Sequence, residues 1–138
     1  MSEKKQVLIL CTGNSCRSIM AEAMINAKMM DCVEAQSSGV QASGRINPHV
    51  QALLKSKGEW RRGYHSKAIE TVLNKPFDLI VTVCEAARET CPLFPSAIKT
   101  IHVGFVDPTG KAIDEYAKTY DLIEKELLPI IKKELCSQ

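Results

Sequence analysis

The stretch VLILCTGNSCRSIMAEAM, residues 7–24, decides the fold. Val7 to Cys11 are apolar without interruption, the pattern of a parallel strand buried on both faces. Thr12-Gly13-Asn14-Ser15 is too rich in turn residues to continue that strand. From Arg17 onward apolar residues recur at helical spacing, with Met20, Ala23, Met24 and Ala27 on one face. The reading is strand, tight loop, helix, with a cysteine closing the strand and an arginine at the start of the helical pattern.

That arrangement has a chemical use. Backbone N–H groups of a glycine-bearing loop converge just ahead of a helix N-terminus, where the helix dipole adds positive potential, so an oxyanion is the natural guest. Arg17 can add a bidentate fork to two of its oxygens. Cys11 lies at the base of the same nest, where the thiolate is expected to be favoured and to act as a nucleophile on the bound anion. Gly13 is expected to supply positive φ; Asn14, the next most tolerant residue type, can brace the loop with its side chain. A cysteine at a strand end is more often a small buried hydrophobe. The full string Cys-x-x-x-x-x-Arg-Ser, set between strand and helix, singles this one out. It is not the nucleotide P-loop, since no Gly-Lys-Ser/Thr follows, nor a G-x-G-x-x-G fingerprint.

Outward from this stretch, the first helix is predicted from Ser18 to Met29 or Met30, its methionine-rich face in the core. A second strand is expected over Asp31 to Ser37, ended by Ser38-Gly39, with surface loop as far as Ile46. Asn47-Pro48 reads as the N-cap and first turn of a helix that carries Val50, Leu53 and Leu54 inward and stops at Gly58. EWRRGY, residues 59–64, reads as a half-buried Trp60 beside solvated Arg61 and Arg62. Ser66 is predicted to cap a helix through Ile69, Val72 and Leu73, ended by Asn74-Lys75-Pro76.

Phe77 to Val83 is a dense β-branched run and reads as a central parallel strand with Cys84 at its carboxyl end. Ligands in open α/β sheets bind outside the carboxyl ends of the strands, so Cys11 and Cys84 are expected on one edge. Ile98 to Val103 is the fourth strand, and Asp107-Pro108-Thr109-Gly110 a loop at that same edge. The last helix is predicted from about Asp114, with Tyr116, Tyr120, Ile123 and Leu127 inward and a break near Glu126 to Leu128 ahead of Pro129. The fold class is α/β: a three-layer αβα arrangement of a four-stranded parallel sheet with helices on both faces.

The 138 residues are consistent with one domain spanning 1–138. With 25% charged and 45% hydrophobic residues the composition is that of an ordinary soluble globule, and a net charge of +2 is too small to argue for nucleic acid. The opening MSEKK and a short apolar run make no signal-peptide core or membrane span, so a cytoplasmic protein without membrane attachment is expected. Six cysteines, at 11, 16, 32, 84, 91 and 136, are many for a reducing compartment. A structural disulfide framework is not expected there, and zinc-ribbon spacing is missing, so no metal site is predicted. That leaves buried thiols for some and redox chemistry for others. If residues 84–91 were helical, their end α-carbons would lie about 10 Å apart. A disulfide needs roughly 4.4–6.8 Å, so an 84–91 bond would require this segment to unwind.

The string CTGNSCRS, with the later Asp-Pro, resembles the low-molecular-weight tyrosine phosphatase fold, and more closely its thioredoxin-coupled arsenate reductase branch. Matching features run from Val7 to Gly110. The resemblance implies a nucleophilic Cys11, an oxyanion loop of Thr12, Gly13, Asn14, Ser15, Cys16 and Ser18, an anchoring Arg17 and a general acid Asp107. It also implies redox partners Cys84 and Cys91. Cys11 would attack arsenate, Cys84 would take Cys11 into a disulfide with release of arsenite, Cys91 would move that disulfide to 84–91, and thioredoxin would reduce it. No cofactor is implied. In some members Asn14, Glu22 and Ser37 correspond to ligands of a potassium ion whose fourth ligand is an aspartate; here that position is Lys67, whose ammonium is expected to replace the cation through Glu22. Val103 stands where related sequences commonly show Trp. Cys16 is read as structural or protective, Cys32 and Cys136 as bystanders, and His65 and His102 as hydrogen-bonded loop or core histidines. A monomer is expected. The competing readings are a phosphotyrosine phosphatase, which has no need of Cys84, and a non-catalytic thiol sensor of redox state or arsenicals.

Overall fold

The structure, a computed structural model, describes residues 4–84 and 98–136. Four strands, β1 (Lys5–Cys11), β2 (Val33–Gly39), β3 (Leu79–Thr82) and β4 (Thr100–His102), form a parallel sheet in the order β2-β1-β3-β4. The helices are α1 (Arg17–Lys28), α2 (Pro48–Ser56), α3 (Ile113–Glu126) and α4 (Leu128–Ile131), and the architecture is the three-layer αβα sandwich expected from the strand–helix alternation.

β1 is central because it is apolar throughout: Val7 to Leu10 are fully buried between β2 and β3. Its register sets Cys11 beside Gly39 and Leu10 beside Thr82, so both neighbours end with it at one edge. α1 buries Ile19, Met20, Ala23 and Met24, and the methionines are core packing as the periodicity suggested. Asn47 Oδ1 accepts the His49 amide at 2.8 Å with Pro48 in the first turn of α2, and Gly58 ends that region at φ +71°. The last helix buries Tyr116, Tyr120, Ile123 and Leu127 and breaks at Leu127, two residues before Pro129, which has no N–H to donate. Among the described residues no helix is long and apolar enough to cross a membrane.

Of three expectations, the first and third are corrected and the second is borne out with one buried residue added. The helix predicted from Ser66 through Leu73 is a single 3-10 turn at Ile69–Thr71. The backbone on both sides of Lys67 is already committed: its N–H donates to Asn14 Oδ1, its C=O accepts from Gly39, and Ala68 bridges to Gly39 as an extended residue. Residues 66–68 therefore lie along the sheet edge and cannot open a helix. In the EWRRGY segment the buried residue is Glu59, with Trp60 half-buried as expected. Glu59 accepts the Tyr120 hydroxyl at 2.5 Å and lies 3.4 Å from Lys28, tying this loop to α1 and α3. The third concerns Cys32 and Cys136, which are not bystanders but a disulfide across 104 residues. Chain spacing carries no sign of such a pairing. Cys91 and the segment that would carry an 84–91 disulfide lie outside the described residues.

Candidate active site

Residues 11–18 wrap a point at the carboxyl end of β1, and the way their carbonyls are held explains what the loop can bind. The C=O groups of Cys11, Thr12, Gly13 and Ser15 accept backbone N–H bonds from Val40, Gln41, Ser43 and Asn47 at 2.9–3.0 Å, and Ser66 Oγ donates a second bond to Gly13. With the carbonyls engaged outside, the loop amides are left for a guest on the inside, which must be an anion. The segment read from sequence as plain surface loop is thus the brace that orients the nest. Backbone amides made that brace, so no side-chain pattern announced it.

Positive φ in the loop falls on Asn14, at +50°, and not on Gly13 as expected. Asn14 is fully buried and saturated: Nδ2 donates to Ser18 Oγ and Ser37 Oγ at 2.9 Å each, while Oδ1 accepts the Lys67 amide at 2.7 Å. A short polar side chain that reaches local partners makes the left-handed conformation tolerable without glycine. Ser37 in turn donates to Glu22 Oε1 at 2.6 Å, and Lys67 Nζ lies 3.8 Å from Glu22 Oε2. Burial pushes the Glu22 carboxyl up, against the pull of Lys67 and Ser37. These residues do not fit a bound monovalent cation: the Asn14 and Ser37 oxygens are engaged within the protein, and an ammonium already faces Glu22.

Cys11 and Cys84 are brought together as expected, both buried and with their thiols hydrogen-bonded. Cys84 Sγ is also 3.2 Å from Thr12 Oγ1, which gives Thr12 a contact with the second cysteine. The expectation of a stabilised Cys11 thiolate is corrected. The hydrogen bond to Cys84 and then burial push the Cys11 thiol up, and the opposing influence of Arg17 and the Thr12 amide does not prevail. Burial likewise pushes the Cys16 thiol up to about 12, the nearby Asp107 carboxylate adding to it.

Arg17 Nη1 donates to the Phe105 carbonyl at 2.9 Å and Nη2 is 3.5 Å from Asp107 Oδ2, while Nε is buried with no partner among the described residues. An orphan guanidinium N–H beside converging amides is a donor awaiting an acceptor. For Asp107, burial alone would raise the carboxyl. The Thr109 amide (3.0 Å) and hydroxyl, with Arg17 and Lys111 beyond them, outweigh it and hold Asp107 below its ordinary value. Arg17, Cys84, His102, Phe105, Val106 and Asp107 line a cleft of about 410 Å³. His102 faces it with Nδ1 2.8 Å from Thr82 Oγ1; the sequence reading had it hydrogen-bonded but gave no hint that it lines the cleft. His65 Nδ1 meets the Gly63 carbonyl at 2.8 Å.

Comparison with known proteins agrees with this geometry. Residues 6–137 match the family described as low molecular weight phosphotyrosine protein phosphatase. An arsenate reductase of Brevibacillus brevis is 40% identical over 124 residues, 89% of this chain and 91% of the relative; arsenate reductase 2 of Staphylococcus epidermidis is 36% identical over 122 residues, 88% and 92%. The crystal structure of an arsenate reductase from Archaeoglobus fulgidus superposes with a TM-score of 0.77 at 32% identity, covering 91% of this chain and 98% of that one. The chain therefore belongs to the low molecular weight phosphotyrosine protein phosphatase family and, within it, to the arsenate reductases.

Proposed function

We propose that this protein reduces arsenate to arsenite through a relay of three cysteines, with thioredoxin as the reductant, in the cytoplasm. The observation that carries the reading is the Cys84 thiol hydrogen-bonded to Cys11 at the floor of an oxyanion loop. A phosphatase of this fold requires one cysteine there. A second thiol in contact would only invite a disulfide, unless that disulfide is the purpose.

The loop amides and the Arg17 guanidinium hold arsenate over Cys11. Cys11 attacks arsenic, forming an S–As bond, and one arsenate oxygen leaves as water. Cys84 then attacks the Cys11 sulfur. The S–As bond breaks with its electron pair on arsenic, which passes from As(V) to As(III) and departs as arsenite, leaving a Cys11–Cys84 disulfide. Cys91 attacks Cys84 and releases Cys11. The thioredoxin dithiol then supplies two electrons and two protons to the 84–91 bond. In sum, arsenate and one dithiol give arsenite, one disulfide and water.

The proton Cys11 gives up as the S–As bond forms passes to an oxygen of the bound arsenate, and Asp107, held by Thr109 and facing Arg17, is the general acid for the oxygen that departs as water. Asn14, Ser18, Ser37, Glu22 and Lys67 steady the loop from behind, the Lys67 ammonium serving where a cation serves in some relatives.

The test is NADPH oxidation on adding arsenate to the protein with thioredoxin and thioredoxin reductase. Wild type should sustain it, while Cys91→Ser should stop after about one turnover. A mutant matching wild type removes Cys91 from the relay; hydrolysis of a phosphotyrosine analogue with no NADPH consumption transfers the assignment to the phosphatase reading.

A further inference from the structure

The Cys32–Cys136 disulfide lies at the end of the sheet opposite the active site. Cys32 immediately precedes β2, and its carbonyl accepts the Lys5 amide at the start of β1. Cys11 closes that seven-residue strand at its other end, about 20 Å away at the rise of an extended chain. Neither Cys11 nor Cys84, which sit together at the far edge, reaches across that span, so the bond does not form or open by exchange with either. Both cysteines are half-buried and reachable by a small molecule.

Cys136 ends the π-helical turn Lys132–Cys136 that follows α4. Beside the packing of half-buried Leu135 against the core, the turn has two polar or covalent side-chain ties next to the sheet among the described residues. One is the disulfide, next to the outer strand β2. The other is Lys99 Nζ to Glu134 Oε1 at 2.8 Å, next to the outer strand β4. Lys99 is well exposed, and exposed ion pairs hold little. In the closed bond the α-carbons stand 6.0 Å apart, within the ordinary disulfide range.

We propose that Cys32 and Cys136 form a second redox site, separate from turnover, that staples the carboxyl-terminal turn to the sheet and takes low-molecular-weight disulfides as its oxidant. One thiolate attacks the external disulfide, giving a mixed disulfide and one free small thiol. The second thiolate attacks the protein sulfur, forming the 32–136 bond and releasing the other small thiol. A dithiol reductant reverses this and is itself oxidised to a disulfide. The staple closes as the surrounding thiol pool is oxidised, the circumstance in which the chain most needs resistance to unfolding.

The experiment equilibrates fully reduced wild type and Cys32→Ser in glutathione buffers of graded oxidation, quenches with iodoacetamide, and reads linked peptides by mass spectrometry beside thermal midpoints. The 32–136 peptide should grow to dominance with oxidation. Wild type should then melt about 5–15 °C above Cys32→Ser, while the two coincide in reducing buffer; any relay disulfide is common to both and cancels. Carboxypeptidase should trim the reduced tail faster than the oxidised one. Arsenate turnover of Cys32→Ser with thioredoxin should equal wild type. No linked peptide at any ratio, or a linked peptide without a change in melting or trimming, overturns the staple. Reduced turnover in Cys32→Ser overturns its separation from the relay. Failure of wild type itself to turn over arsenate concerns the relay alone.

Discussion

Gly39→Ala is the substitution that most directly tests how the oxyanion loop is built. A β-carbon at Gly39 would overlap the Thr12 carbonyl oxygen and lie 3.0 Å from both Asn14 N and Asn14 Cβ. Two of these three are backbone atoms, so no flexible side chain can yield. Nor can the strand retreat easily: Gly39 is in register with Cys11, its N–H donates to Lys67, and the next residue, Val40, donates to the Cys11 carbonyl. The loop must therefore shift away from β2, against the bonds that orient its amides. Overpacking of this kind costs about 1–3 kcal/mol. The lower chain entropy of unfolded alanine offsets about 0.4–1 kcal/mol. The expected net effect is a melting point lower by up to about 10 °C.

Function should suffer more than stability, because displacement of a reacting geometry by about 1 Å can cost 10²-fold. The expected result is kcat/KM for arsenate reduced by about 10²-fold with phosphate affinity weakened in parallel, read by the coupled NADPH assay and by titration calorimetry. Gly13→Ala is the matched control. Its β-carbon would meet only Ser15 Oγ at 3.5 Å, an ordinary contact, and its φ is not in the left-handed region. That variant should stay within a few-fold of wild type. If Gly39→Ala turns over normally, or Gly13→Ala is the more damaging, the loop is not held as described.

Three further outcomes are expected. Lys67→Met should lose up to about 3 kcal/mol in urea unfolding, the low end for breaking a buried pair, since the pair is 3.8 Å apart. Because Glu22 is already pushed up and would lose a partner that pulls it down, that loss should grow as pH rises through the folded Glu22 pKa. Wild-type turnover should be the same in potassium and choline buffers, and a several-fold activation by potassium would rule out the ammonium's role. Asp107→Asn should remove a stability term of opposite sign: the depressed carboxyl stabilises the fold above its unfolded pKa, and that contribution fades as pH falls through the folded value. Equal acid profiles for Asp107→Asn and wild type would contradict the Thr109 and Arg17 contacts.

The fold was legible because its decisive signals are local. An uninterrupted apolar run, a loop rich in turn residues and a helical period place β1, the nest and α1 within a residue or two. Asn47-Pro48 and Pro129 act through their own backbone chemistry, so their effects survive any tertiary context. What could not be read was decided by partners distant in sequence. Ser66 and Lys67 carry a respectable helix start, but the Ser66 hydroxyl is taken by the Gly13 carbonyl and the Lys67 backbone by Asn14 and Gly39. Residues 40–47 orient the nest through main-chain amides, which every residue but proline possesses. Cys32 and Cys136 have a pairing that spacing alone leaves open.

The thiol chemistry shows the same division. Along the chain, converging amides, a helix start and Arg17 all favour a Cys11 thiolate. Cys84, which the sheet delivers from 73 residues away, opposes them with a hydrogen bond that reverses the balance. The reversal bears on function. A permanently ionised Cys11 beside a second cysteine would react more readily with a stray peroxide or small disulfide, which would take up the two electrons and close the 11–84 bond before substrate arrived. A thiol held by burial and by its hydrogen bond to Cys84 is the weaker nucleophile until arsenate sits over the loop, where an arsenate oxygen can take its proton. On this reasoning the proximity that makes the relay possible also keeps it from firing without substrate. Replacing Cys84 should therefore lower the Cys11 pKa and speed its alkylation, while abolishing arsenite release.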